Sequence, residues 1–216
     1  DADVEMAARL AVDSKAQYPA ACNAAEVLLA HREIAQRALP RIAAALEAAG
    51  VRLDLDPEAM AILGPAPRSG ESPGRALKDD GNWSVEYLDL RMAVKVVGSL
   101  DEAIGHINRY GSGHTDAIVT ASRPAARRFM DEVDSASVYW NASTRFADGY
   151  RYGLGAEVGI STGKLHARGP MGLEGLMTYK WKLEGEGQRV ADYVSGARSF
   201  EHAELPEERG TYYGSR

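Results

Sequence analysis

The order of segments in this chain predicts an α/β fold with a mostly parallel sheet. Short apolar runs suited to buried strands, at 27–30, 92–97, 117–120 and 137–140, alternate with segments of helical periodicity. Strands that alternate with helices pair in parallel, each return passing through a helix. The 216 residues are 45% hydrophobic, enough for a substantial core in one large domain or two small ones. No internal repeat or low-complexity tract competes with that reading.

Taken in order, Val4, Ala7, Ala8 and Ala11 recur at helical spacing, so the chain opens with an amphipathic helix that ends before Pro19. Residues 27–30 form the first strand. The next helix is expected over 40–49, with Pro40 in its first turn and Gly50 ending it. Residues 51–55 alternate as a strand, and Asp56 with Pro57 starts a short helix through Leu63. From 64 to 82 the composition shifts to glycine, proline, serine and charge, a surface excursion. Ser99 and Glu102 stand at capping-box spacing before a helix that runs to about Tyr110, and another helix spans 123–133. A long irregular segment follows over 141–170, where ligands usually sit in α/β folds. A strand is expected at 176–183, and from Gln188 a polar tail without periodicity.

Composition removes several functions. A net charge of -6 with dispersed signs argues against a nucleic-acid footprint. No apolar run approaches a membrane span, and no basic-then-apolar leader opens the chain, so a cytoplasmic location is expected. One cysteine excludes an intrachain disulfide and a cysteine-rich zinc site, and the five histidines show no tight ligand spacing, so no metal is expected. The chain begins with aspartate directly in a helical pattern and reads as a piece of a longer protein.

That one cysteine, Cys22, lies between Pro19 and a cluster of alanines that would let a ligand approach closely. Residues 23–25 read as a helical start, which would favour a nucleophilic thiolate. The alternative is a small buried hydrophobe. The segment YGSGHTD, Tyr110 to Asp116, either offers N–H and hydroxyl donors to an anion or is a polar helix-to-strand connection. NASTRFAD, Asn141 to Asp148, gathers an amide, two hydroxyls and the Arg145 guanidinium, a set that suits carboxylate or phosphate. His166 and Arg168 would face one side of an extended segment, either for phosphate or as a solvated loop. The glycines of GLGAEVG have the wrong spacing for a dinucleotide fingerprint. Two glycosylation sequons, at Asn82 and Asn141, are discounted for want of a secretory signal.

Three stretches together carry a resemblance: PAACNAAEVLLAH, NRYGSGHTDAIVT, and above all NASTRFADGYRYGLGAEVGISTGKLHARGPMGLEGL. They resemble gamma-glutamyl phosphate reductase over nearly the whole chain to Gln188. The resemblance implies the aldehyde dehydrogenase-like fold, with Cys22 on the family's nucleophile. It implies NADPH-dependent reduction of L-glutamyl 5-phosphate to L-glutamate 5-semialdehyde with release of phosphate, in proline biosynthesis, through a cysteine thioester. Glu86 looks like the residue that binds the nicotinamide ribose, although Tyr87-Leu88-Asp89 replaces the usual Phe-Gly-Pro context. Asn141, Ser143, Thr144, Arg145, His166 and Arg168 become the candidates for holding substrate.

By the same resemblance, 1–170 is the catalytic domain and 171–216 an oligomerisation strand with a polar tail. The family's dinucleotide-binding domain precedes the cysteine and is absent here, so this polypeptide alone is expected to show little reductase activity. A homo-oligomer is expected, and an association or fusion with a glutamate 5-kinase is left open. Two rival readings stand beside this one: a broad-substrate aldehyde dehydrogenase, and a non-catalytic scaffold within a kinase-reductase fusion.

Overall fold

The computed structural model of the chain describes residues 1–64, 77, 83–165 and 172–201. They divide into a unit of Asp1–Met177 and a second beginning at Thr178. The first unit runs α1 (Val4–Ala16), β1 (Val27–His31), α2 (Arg32–Ala48), β2 (Arg52–Leu55), α3 (Pro57–Leu63), β3 (Arg91–Val97), α4 (Leu100–Tyr110), β4 (Thr115–Ile118), α5 (Arg123–Glu132), β5 (Ser137–Trp140) and the short α6 (Leu173–Leu176). All pairing is parallel: β1, β3 and β2 form one sheet in that order, and β4 and β5 form another.

Local chemistry explains where most helices start. Asp3, Asp56, Ser99 and Ser122 each accept a backbone N–H of the first turn that follows, satisfying a donor the helix cannot. Glu102 completes its box one residue early, accepting the Gly98 N–H at 2.7 Å. Gly50, at φ 81°, turns the chain from α2 toward β2 in a conformation closed to most side chains.

Helix α2 corrects the sequence expectation. It begins at Arg32, eight residues before Pro40, with His31 as its cap. Pro40 is exposed, so the carbonyl its ring leaves without a partner faces the solvent side. The opposite face buries Ala35, Ala38, Leu39, Ile42, Ala43 and Leu46, a continuous stripe against the sheet. Central β3 buries Met92, Ala93, Val94, Val96 and Val97, as a strand covered on both faces should. A second, smaller core of Ile104, Phe129 and Val133 lies between α4, α5 and the β4–β5 sheet.

Two further expectations change. The strand expected at 176–183 does not form: Leu176 ends α6, Met177, Tyr179, Trp181 and Leu183 are exposed, and among the described residues no neighbouring strand offers a ladder. The tail does contain regular structure, the helix α7 (Val190–Val194), too short for a period to register in its sequence. The excursion expected at 64–82 lies almost wholly outside the described residues, as do His166, Arg168 and Asn82.

Candidate active site

Cys22 is exposed in a turn between α1 and β1. No helix starts at 23–25, contrary to the sequence expectation, so the thiol does not stand at a helix N-terminus. Tertiary bonds hold the segment instead: the Ala25 backbone N–H donates to the Ser14 carbonyl at 2.9 Å, and the Asn23 side-chain Nδ2 donates to the Ala147 carbonyl at 2.7 Å. Among the described residues no acceptor takes the Cys22 N–H.

The segment after β5 is stapled onto this turn. Ser14 Oγ lies 3.2 Å from Ser143 Oγ and accepts the Thr144 N–H at 3.2 Å. A single 3-10 turn, Thr144–Phe146, then carries Arg145 inward to 9% exposure. Its Nε donates to Gln17 Oε1 at 2.9 Å, and the guanidinium lies 5.9 Å from the centroid of the Tyr18 ring. No carboxylate among the described residues pairs with it. A buried cation without a counter-charge is costly, and it marks a place where an anion is favoured.

The other candidates differ in availability. Asn141 has a left-handed backbone, φ 54°, and its amide bonds Thr120 at both ends, accepting the N–H at 2.9 Å and donating to the carbonyl at 3.0 Å. Ser143 is buried, and its oxygen also accepts the Arg145 N–H at 3.3 Å. These two shape the loop that presents Arg145. Thr144 Oγ1 is buried without a hydrogen-bond partner.

Glu86 is exposed on an irregular stretch before β3, and no ion pair among the described residues claims it. A free carboxylate there fits the hydroxyls of a ribose. The YGSGHTD turn is tied both to itself and to its neighbours: Ser112 Oγ accepts the His114 N–H at 3.3 Å, the His114 ring bonds Thr115 Oγ1 at 2.7 Å, and the Gly113 and His114 carbonyls accept the Ala136 and Ser137 N–H groups at 2.9 and 3.0 Å. Burial holds His114 below the usual imidazole range, although Glu157, Glu86 and Asp116 favour its charge. This turn lies at the start of β4, whereas Asn141 follows the end of β5, so parallel pairing places the two at opposite ends of that sheet.

The glycine-rich segment folds back tightly rather than cradling a dinucleotide. A side chain at Gly149 would meet the Gly155 carbonyl at 2.5 Å, and the Gly149 N–H donates to Glu157 at 3.0 Å. Sequence reasoning missed Ser14, Lys15, Gln17, Asn23 and Glu26, all of which lie around the Cys22 turn.

Comparison with known proteins decides the kinship. The chain is 52% identical over 210 residues to a gamma-glutamyl phosphate reductase from Pelotomaculum thermopropionicum, a match covering 97% of this chain and 46% of that protein. The chain belongs with the gamma-glutamyl phosphate reductases. A crystal structure of the gamma-glutamyl phosphate reductase from Thermotoga maritima superposes with a TM-score of 0.77 at 43% identity, over 88% of this chain and 44% of that one. The chain thus spans about half the length of the reductases it matches. An indole-3-acetaldehyde dehydrogenase solved in complex with NAD+ shares the fold at 20% identity and a TM-score of 0.51, over 66% of this chain and 36% of that one. The fold is aldehyde dehydrogenase-like. No protein-family model matches the chain. No helix among the described residues is long and apolar enough to cross a membrane.

Proposed function

We propose that this chain supplies the nucleophile and the substrate-anion site of an NADPH-dependent reductase that converts L-glutamyl 5-phosphate to L-glutamate 5-semialdehyde and phosphate. The observation that carries the reading is Arg145, a nearly buried guanidinium without a carboxylate partner, tied by Gln17 to the segment that leads into the Cys22 turn.

Arg145 holds a carboxylate or phosphate of the substrate in bidentate fashion. The Cys22 thiolate adds to the acyl carbon, and the open Cys22 N–H donates to the oxygen that becomes negative. Phosphate leaves with the electrons of the broken C–O bond, already anionic, so no strong general acid is needed. The product of this half is a thioester on Cys22. NADPH, when bound, would supply the hydride that reduces the thioester, and the exposed Glu86 carboxylate would hold its nicotinamide ribose by accepting the ribose hydroxyls. Collapse of the resulting tetrahedral oxyanion expels the Cys22 thiolate and frees the aldehyde. Residues 1–170 form the catalytic part in this reading, and the exposed alternating segment at 177–183 pairs subunits of a homo-oligomer.

The test joins this chain to the remainder of the reductase and follows phosphate-dependent oxidation of glutamate 5-semialdehyde with NADP. Cys22→Ser is expected to abolish turnover, and Arg145→Lys to raise the KM for substrate or phosphate by about 10- to 100-fold through loss of the bidentate contact. An active Cys22→Ser enzyme, or turnover indifferent to phosphate, rejects the mechanism.

A further inference from the structure

Lys15 and Glu26 bracket the Cys22 turn on either side. Lys15, in the last turn of α1, is fully buried, and its Nζ donates to Glu26 Oε2 at 2.7 Å. Such a pair is weak evidence for stability, since apolar residues of similar volume often serve as well. Its geometry suggests a different use. Glu26 is fixed at the entrance to β1, where its carbonyl accepts the Ala93 N–H of β3 at 2.9 Å. Its second carboxylate oxygen accepts the Leu88 N–H at 3.4 Å.

Leu88 has φ 53°, a left-handed backbone that is unfavourable for leucine and persists only where the surroundings hold it. It stands two residues after Glu86. Burial raises Glu26 above the usual carboxylate range, and Lys15 with the Leu88 and Tyr87 N–H groups works against that shift. One carboxylate therefore touches both the support of the nucleophile turn and the backbone that aims Glu86.

We propose that Glu26, held by Lys15, is a positioning residue that sets the geometry between the Cys22 turn and the Glu86 segment, and so governs how the nicotinamide ribose is held. The inference rests on the roles of Cys22 and Glu86 given under Proposed function. Glu26→Gln tests it in the complete enzyme, because one amide carbonyl cannot serve Lys15 on one side and the Leu88 and Tyr87 N–H groups on the other, and the amide nitrogen accepts from none of them.

The expected result is a rise of about tenfold both in the KM for NADP and in the dissociation constant of NADP measured without turnover by calorimetric titration, with the KM values for glutamate 5-semialdehyde and phosphate within about twofold of wild type. A general loss of structure would not separate the substrates in this way. An unchanged KM for NADP overturns the proposal. If Glu26→Gln fails to fold, Lys15→Met combined with Glu26→Leu removes the buried charges and still strips Leu88 of its acceptor. The same selective rise is expected there, and its absence in a folded double variant is equally decisive. Cys22→Ser and Glu86→Gln are run in parallel. An inactive Cys22→Ser and a raised NADP KM in Glu86→Gln, beside a wild-type KM in Glu26→Gln, reject the positioning role alone. An active Cys22→Ser, or an unchanged NADP KM in Glu86→Gln, rejects the underlying reading and the proposal with it.

Discussion

His106 shows how a single side chain can make stability depend on pH. Its ring lies 5.2 Å from that of Trp83 and 4.8 Å from that of Tyr110, with Nε2 buried and without a hydrogen-bond partner. Burial, helped by the charge of Lys95 and opposed by Glu102, lowers its pKa from 6.5 to about 4. The folded state thus holds His106 neutral where the unfolded chain protonates it. Its contribution is complete above pH 6.5 and is lost as pH falls toward about 4. Denaturant titrations should show a loss of about 1–2 kcal/mol between pH 7.5 and 5, and His106→Phe should flatten that part of the profile. An unaltered slope in the variant would assign the acid sensitivity elsewhere. The same scale separates what was legible at the site. Cys22 and Arg145 stand out because their own neighbours in sequence make unusual local chemistry. Asn23, Ser14 and Glu26 do not, since their partners Ala147, Ser143 and Leu88 lie far along the chain.

Elements were legible where their signals are local. The cap at Asp56, the Ser99–Glu102 pair and the apolar run of β3 each depend on a few adjacent residues, and the corresponding elements formed where expected. Helix α2 shows the opposite case. Pro40 reads as a first-turn residue, yet burial of the stripe from Ala35 to Leu46 outweighs one missing hydrogen bond. Restoring that bond with Pro40→Ala should stabilise the fold by about 1–2 kcal/mol, measured as a shift in denaturation midpoint. A destabilised variant would show that proline's stiffening of the unfolded chain matters more. The strand expected at 176–183 does not form for a related reason: alternation specifies a face, but a strand exists only against a neighbour.

For the whole molecule, the described residues contain an exposed thiol and a nearly buried guanidinium without a carboxylate partner, but no glycine-rich strand-turn-helix cradle for a dinucleotide. The 216 residues expressed by themselves should therefore be alkylated by iodoacetamide at Cys22 while turning over no NADPH, as absorbance at the reduced-nicotinamide band would report. Normal turnover by that polypeptide would show that it carries its own cofactor site. The parallel sheet adds a consequence in time. Because β3 lies between β1 and β2, neither earlier strand has a partner in that sheet until β3 has been synthesised. The apolar residues of β1 and the inner stripe of α2 leave the ribosome well before the strand that covers them. Until β3 emerges those apolar surfaces and strand edges stay uncovered, so slowing translation just ahead of Arg91 should increase aggregation more than slowing it afterwards.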